Sequence, residues 1–376
     1  MCYNGTKDII RLAAILGLLL TACDQTSPEK LNALRAHAIP VRTVEPDDED
    51  FTDLEPLRSV LKDSRVILLG EQSHPDGTTF LAKTRLIKFL HQEMDFDVLA
   101  VQSGFYDVQR AWTQREEAEG IRKAFEDVIY TGWAQSLQVQ PLINYLGTVD
   151  STDKPIDLVG FDMMFSGRHT WDYLSWELND IAKLVGFQMN LNLIANQLRF
   201  GYMVRTVNDS MTVEKPSLKE QTAFRQLMAE FQGAVKNSTV LPPEQQAFWV
   251  QFCRNIVSYA DFVLGHDNGN GTFESAQIRE RQMGDNLVWL ANQQYPSRKI
   301  VVWLAAPHSA RNLWAVERLK SEKEDDYNQR REAKVAGDYI HGALGNEVYS
   351  LGFIPYAGKP GLPGEAGVLE ATPPVT

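Results

Sequence analysis

The chain has 376 residues, 37 Lys and Arg against 49 Asp and Glu, and a formal net charge of −12. That balance, without any Lys/Arg cluster, excludes the basic face that nucleic-acid binding needs and a polybasic membrane-binding surface. At 44% hydrophobic residues the chain can build a substantial core, and its length suits one large α/β domain with an insertion, or two domains.

Residues 1–22 read as a signal peptide. Lys7 and Arg11 form a positive n-region, Leu12–Leu20 an apolar h-region, and Thr21-Ala22 a small-residue cleavage site. The apolar run is too short to span a bilayer. Leu20-Thr21-Ala22-Cys23 resembles the lipobox of bacterial lipoproteins. That resemblance implies cleavage before Cys23, lipidation of its sulfur and a place in the bacterial cell envelope, periplasm-facing if Gram-negative. An ordinary signal peptide with an incidental Cys is the alternative. Asp24 resembles an inner-membrane retention signal. Of the 3 Cys only Cys253 then keeps a free thiol, so no internal disulfide is expected. No CxxC or Cys/His cluster suggests a structural zinc, and no cofactor is expected.

Residues 23–50 read as a lipidated tether, because Asp24–Lys30 is polar, Glu45–Asp50 is almost wholly acidic, and such runs are usually solvated spacers. Then come four unbroken apolar, β-rich runs, Val66–Leu69, Val98–Val101, Ile156–Val159 and Ile300–Trp303, with a weaker fifth at Val348–Gly352. Unbroken runs predict strands covered on both faces, as in parallel sheets. Helical patterns between them, at Thr79–His91, Phe105–Gln114 and Ser136–Leu146, predict βαβ units. Five further helices are predicted at about 168–185, 189–206, 217–236, 243–264 and 274–294, with a turn-rich break at Asp267–Gly271.

The expected fold is therefore α/β: a mostly parallel central sheet, helices on both faces and a large helical insertion. Residues 51–167 and 271–355 form the core. Residues 168–270 form a cap over the sheet's carboxyl edge, and 356–376 a flexible tail.

The most informative stretch is Val66-Ile-Leu-Leu-Gly-Glu-Gln-Ser-His74. It puts Glu71 and His74 just past a buried strand, where open α/β sheets bind ligands. Three later strand ends also carry polar groups: Gln102, Asp162 and His308. Neighbouring parallel strands lie about 4.8 Å apart, so such ends can share one pocket.

Six segments in order resemble the erythromycin esterase family, within a wider group of ChaN-like α/β proteins. They are Gly70-Glu71-Gln72-Ser73-His74, Phe80 with Lys83, Val98–Gln102, Gly160-Phe161-Asp162-Met163, Arg279–Asn286 and Lys299–His308. Trp133 also resembles a family Trp near the cleft. Two departures stand out: Gln102 replaces a family Glu, and Ala305 replaces the first His of the last motif. The resemblance implies hydrolysis of an ester or lactone by water attack, without a covalent intermediate or a required metal. His74 would be the general base, with an imidazole that can take a proton from water near neutral pH. Glu71 would orient it, and His308 would protonate the leaving oxygen or bind the oxyanion. Gln102, Asp162, Lys83, Arg279 and Arg311 would line the substrate site.

Three readings stay open. The first is a lipid-anchored ester or lactone hydrolase whose partners are a small-molecule substrate and the bilayer reached through Cys23. Macrolides act in the cytoplasm, so the exported chain reads as adapted to another substrate. The second is a binding lipoprotein that kept the cleft and lost the reaction. The third is a metal-dependent hydrolase or metal/haem carrier with Glu71, His74 and His308 as ligands.

Overall fold

The computed structural model describes residues 28–74, 76–115, 120–165, 167–206, 214–266, 271–318 and 322–355. The predicted signal peptide, Cys23, most of the 267–271 break and the 356–376 tail lie outside the described residues.

All five predicted strands form, as β1 (Val66–Glu71), β2 (Phe96–Gly104), β3 (Asp157–Asp162), β4 (Lys299–Ala305) and β5 (Val348–Phe353). They make one sheet in the order β3-β2-β4-β1-β5, with every neighbouring pair parallel. Alternate side chains along a strand face opposite sides, and two separate cores follow. Val66, Leu68, Val98, Ala100, Phe161, Val302 and Leu304 pack in one cluster with the helices from 168 to 291 and Ile340. Ile67, Leu69, Leu99, Val101, Val301 and Trp303 pack in the other with residues between Phe80 and Ile156. Helices thus cover both faces, and the fold is α/β.

The four helices predicted in the insertion appear as Arg168–Leu184, Leu191–Thr206, Leu218–Lys236 and Pro243–Leu264, and the helix predicted after the break as Phe273–Trp289, followed by a π-helical turn, Leu290–Gln294. Their apolar residues are continuous with the core of one sheet face. A buried amide cluster reinforces that join: Asn286 donates to the Phe161 carbonyl at 2.9 Å and to Asn255 Oδ1 at 2.9 Å, while Gln251 donates to Asn286 Oδ1 at 2.8 Å. The start of the Arg168–Leu184 helix is held by buried Asp107, which accepts from the Thr170 N–H, the Thr170 hydroxyl and the Gly167 N–H. Burial pushes the Asp107 carboxyl up to about 6.

Residues 43–50, expected as solvated spacer, are instead held against the fold together with Asp53. Arg85, buried on the helix Gly77–Met94, donates to the carbonyls of Thr43, Asp48 and Asp50 and to both Asp53 oxygens. Lys88 donates to the Pro46 carbonyl. The acidic run is a docked strap because its backbone carbonyls, more than its charges, satisfy two inward-pointing cations. Hydrogen bonding to Arg85 holds the Asp53 carboxyl down at about 2. Upstream, Pro28–His37 is helical. No described helix is long and apolar enough to cross a membrane.

Candidate active site

β1 ends at Glu71, two residues later than its apolar run Val66–Leu69, and Glu71 is fully buried. The chain turns at Gln72–His74 and enters the helix Gly77–Met94. Asp76 caps that helix by accepting from the Thr79 N–H at 3.2 Å, so Glu71 is free of capping duty. His74 Nδ1 donates to Glu71 Oε1 at 3.2 Å, while Lys83 donates to Glu71 Oε2 and, at 3.1 Å, to the Leu304 carbonyl. Lys83 is fully buried, with its ammonium 4.5 Å from the Trp303 ring centroid. Its donors serve Glu71 and the backbone, not a ligand. Burial is the largest influence on Lys83 and lowers its pKa to about 8, against the opposing pull of Glu71. His74 keeps 19% of its side chain exposed and lies 5.3 Å from the Tyr130 ring and 5.4 Å from the Trp133 ring, centroid to centroid.

β4 lies next to β1, with Ala305 opposite Glu71. The short turn Ala306–Ser309 that follows carries His308. A Cβ on Gly70 would stand 2.3 Å from Ser309 Oγ and 2.9 Å from Ala306 Cα, and one on Gly337 would stand 2.2 Å from the Ala310 carbonyl oxygen. Two glycines therefore let this turn press against β1 on one side and the helix Ala336–Leu344 on the other. His308 Nδ1 donates to Glu280 Oε1 at 2.5 Å, and Glu280 Oε2 accepts the Ala336 N–H at 3.0 Å. Both His308 and Glu280 are buried.

On the other side of β4, Gln102 of β2 accepts the Ala305 N–H through Oε1 at 2.9 Å. That bond fixes which end of the amide is oxygen and leaves its nitrogen as a donor at the strand's carboxyl end. A family-type Glu would have no donor there. At the far strand, Asp162 ends β3 and pairs with Arg279 through two bonds, at 3.2 and 2.5 Å. Burial pushes the Asp162 carboxyl up, but the Arg279 guanidinium and His308 outweigh it and hold it below the usual range.

The strand order thus aligns Asp162, Gln102, the His308 turn and Glu71/His74 along one edge. Arg311 lies apart: it is exposed and its Nη1 is 3.5 Å from His341 Nδ1. Among the described residues no group of three or more His, Cys, Asp or Glu could hold a metal ion, so Glu71, His74 and His308 do not assemble as a ligand set. Cys253 is buried, which pushes its thiol up to about 12 and makes it a poor nucleophile. Glu280 is the site residue that sequence reasoning missed. It sits inside the Arg279–Asn286 segment, but its partner is 28 residues away and no local pattern links them.

An all-parallel α/β sheet whose carboxyl edge carries two histidine–carboxylate pairs defines a protein equipped for proton transfer. The family model described as Erythromycin esterase matches residues 91–366, and the chain belongs to that family. It is 26% identical over 330 residues to the Bacillus subtilis (strain 168) protein YbfO, which carries a hydrolase name, covering 81% of this chain and 68% of that one. It is 20% identical over 338 residues to erythromycin esterase type II of Escherichia coli, covering 85% and 75%. Among solved structures it is similar to a Bacillus cereus protein (TM-score 0.63, 16% identity, 90% and 78% covered). It is also similar to a mutant of the erythromycin esterase EreC in its open conformation (TM-score 0.55, 15% identity, 87% and 81% covered). At these identities the solved structures speak to the fold. The family and the named relatives support hydrolase activity in general.

Proposed function

We propose that this chain hydrolyses an ester or lactone with His74 as general base. The observation that carries the reading is the His74–Glu71 pair at the end of β1: a partly exposed imidazole whose Nδ1 is held by a buried carboxylate. A carboxylate only accepts, so Nδ1 bears the hydrogen and Nε2 offers its lone pair. Water attacks the acyl carbon and gives its proton to His74 Nε2. The new C–O bond forms as the carbonyl electron pair moves onto oxygen. When that pair returns, the bond to the alkoxy oxygen breaks and the leaving oxygen takes the Nε2 proton of His308 in its imidazolium form; solvent then removes the proton from His74 and returns one to His308 Nε2. The products are an acid and an alcohol, or one hydroxy acid from a lactone. The Gln102 amide supplies a neutral donor for the carbonyl oxygen.

The test is a panel of esters and lactones. His74→Ala is expected to lower turnover about 10²–10⁴-fold with an unchanged circular dichroism spectrum. A fully active variant sinks the reading. A second reading, a small-molecule binder without turnover, rests on Gln102 and Ala305; tight binding with no hydrolysis by the unaltered protein favours it. We also propose that the chain is exported and lipid-anchored in a bacterial envelope, on the strength of the Leu20–Cys23 segment. Acyl labelling that persists in Cys23→Ala overturns that part.

A further inference from the structure

The His308 pair has a feature that the His74 pair lacks. Its carboxylate serves two donors with its two oxygens: the His308 Nδ1–H on one and the Ala336 backbone N–H on the other. No lysine or arginine stands among these bonds. Glu280 Oε2 must accept, because a backbone N–H can only donate, and an ionised Glu280 accepts at Oε1 as well.

We propose that Glu280 is a positioning residue that locks His308 in the tautomer with hydrogen on Nδ1, leaving Nε2 as its working nitrogen. Three observations converge on this. Glu280 is buried, so water does not compete for its oxygens. The turn that carries His308 is wedged between Gly70 and Gly337, so the backbone from which the ring projects is held in place. The second oxygen is occupied by the first turn of the helix Ala336–Leu344, which holds the carboxylate in place. His308 Nε2 then takes up and returns protons, and Asp162, which interacts with the His308 charge, is itself paired with Arg279. The assignment deepens the hydrolase reading, and its rate prediction rests on that reading; its tautomer prediction does not.

Replacement by glutamine discriminates sharply. Gln has one acceptor oxygen and an amide that donates, so it cannot satisfy both donors. With its oxygen on the Ala336 N–H, its amide faces His308 Nδ1 and favours the opposite tautomer. Ring-nitrogen NMR on the full chain carrying ¹⁵N-histidine reads this directly, with the His308 signals assigned by their loss in His308→Gln. At a pH raised until His308 is neutral, the expected result is hydrogen on Nδ1 in the unaltered protein and on Nε2 in Glu280→Gln. Glu280→Asp, which keeps both acceptors, retains the original tautomer and serves as the variant that folds conservatively. On an ester that the unaltered protein turns over, Glu280→Gln lowers kcat about 10²–10⁴-fold, as expected for a wrong tautomer, with KM little changed. The same protonated nitrogen in the unaltered and Gln proteins overturns the assignment. So does an unchanged kcat in a variant whose tautomer has switched. If the unaltered protein hydrolyses no ester, the hydrolase reading fails while the NMR comparison still decides the role of Glu280.

Discussion

The two histidine–carboxylate pairs look alike in a contact diagram and differ in how they are built. His74 and Glu71 are three residues apart on one turn, and their carboxylate is shared with Lys83. His308 and Glu280 are 28 residues apart on different elements, and their carboxylate is shared with a backbone N–H. In the first pair the buried negative charge is already balanced, so a proton arriving on His74 is surplus charge. In the second, the two bonds to the carboxylate come from His308 and a backbone N–H, with no lysine or arginine in either. The contrast separates a carboxylate held by an ion pair from one held by a neutral backbone donor.

The comparison can be broken at four points, in descending order of effect. Glu71→Ala strands the Lys83 ammonium in a fully buried site and should cost about 3–5 kcal/mol of stability, measured by urea unfolding. Adding Lys83→Met should recover most of that loss without recovering turnover; a double variant no more stable than the single one refutes the charge balance.

Lys83 itself provides a pH test. The unfolded chain holds this proton up to about 10.5 and the folded one releases it at about 8. Between those values the unfolded state binds more protons, so stability should rise with pH. Lys83→Met should flatten that rise, and an unaltered slope in the variant would assign it elsewhere. Glu280→Ala leaves two buried donors unmet but no stranded cation, so its expected cost is smaller, about 1–3 kcal/mol. A loss matching that of Glu71→Ala would erase the distinction between the pairs. As a surface reference, Arg168→Ala removes an exposed i,i+4 pair with Asp172 and should change stability by less than about 0.5 kcal/mol.

How much was legible in the sequence follows the same division. The five strands were readable because buried parallel strands are unbroken apolar runs, and the helices from 168 to 264 because their apolar spacing is regular. The Glu71/His74 pair was readable because it is local. Lys83 was placed among ligand-facing residues, although it sits on the inward face of its helix, because a lysine's partner cannot be seen in one dimension. Glu280 was invisible for a related reason: its partner His308 lies 28 residues further on, on a different element. The docked strap at 43–53 was misread because its chemistry lies in backbone carbonyls, which composition does not display.

That strap has a consequence for reach. With a lipid on Cys23, the free leash would end near residue 43, where Arg85 takes hold, and not at the start of the folded body near 51. Ten of its residues are helical, Pro28–His37, and span about 15 Å. The remaining ten or so can stretch to roughly 35 Å. The carboxyl edge of the sheet would then patrol a shell within about 50 Å of the bilayer surface beyond the radius of the folded body, meeting molecules held at or near that surface more often than those in the bulk.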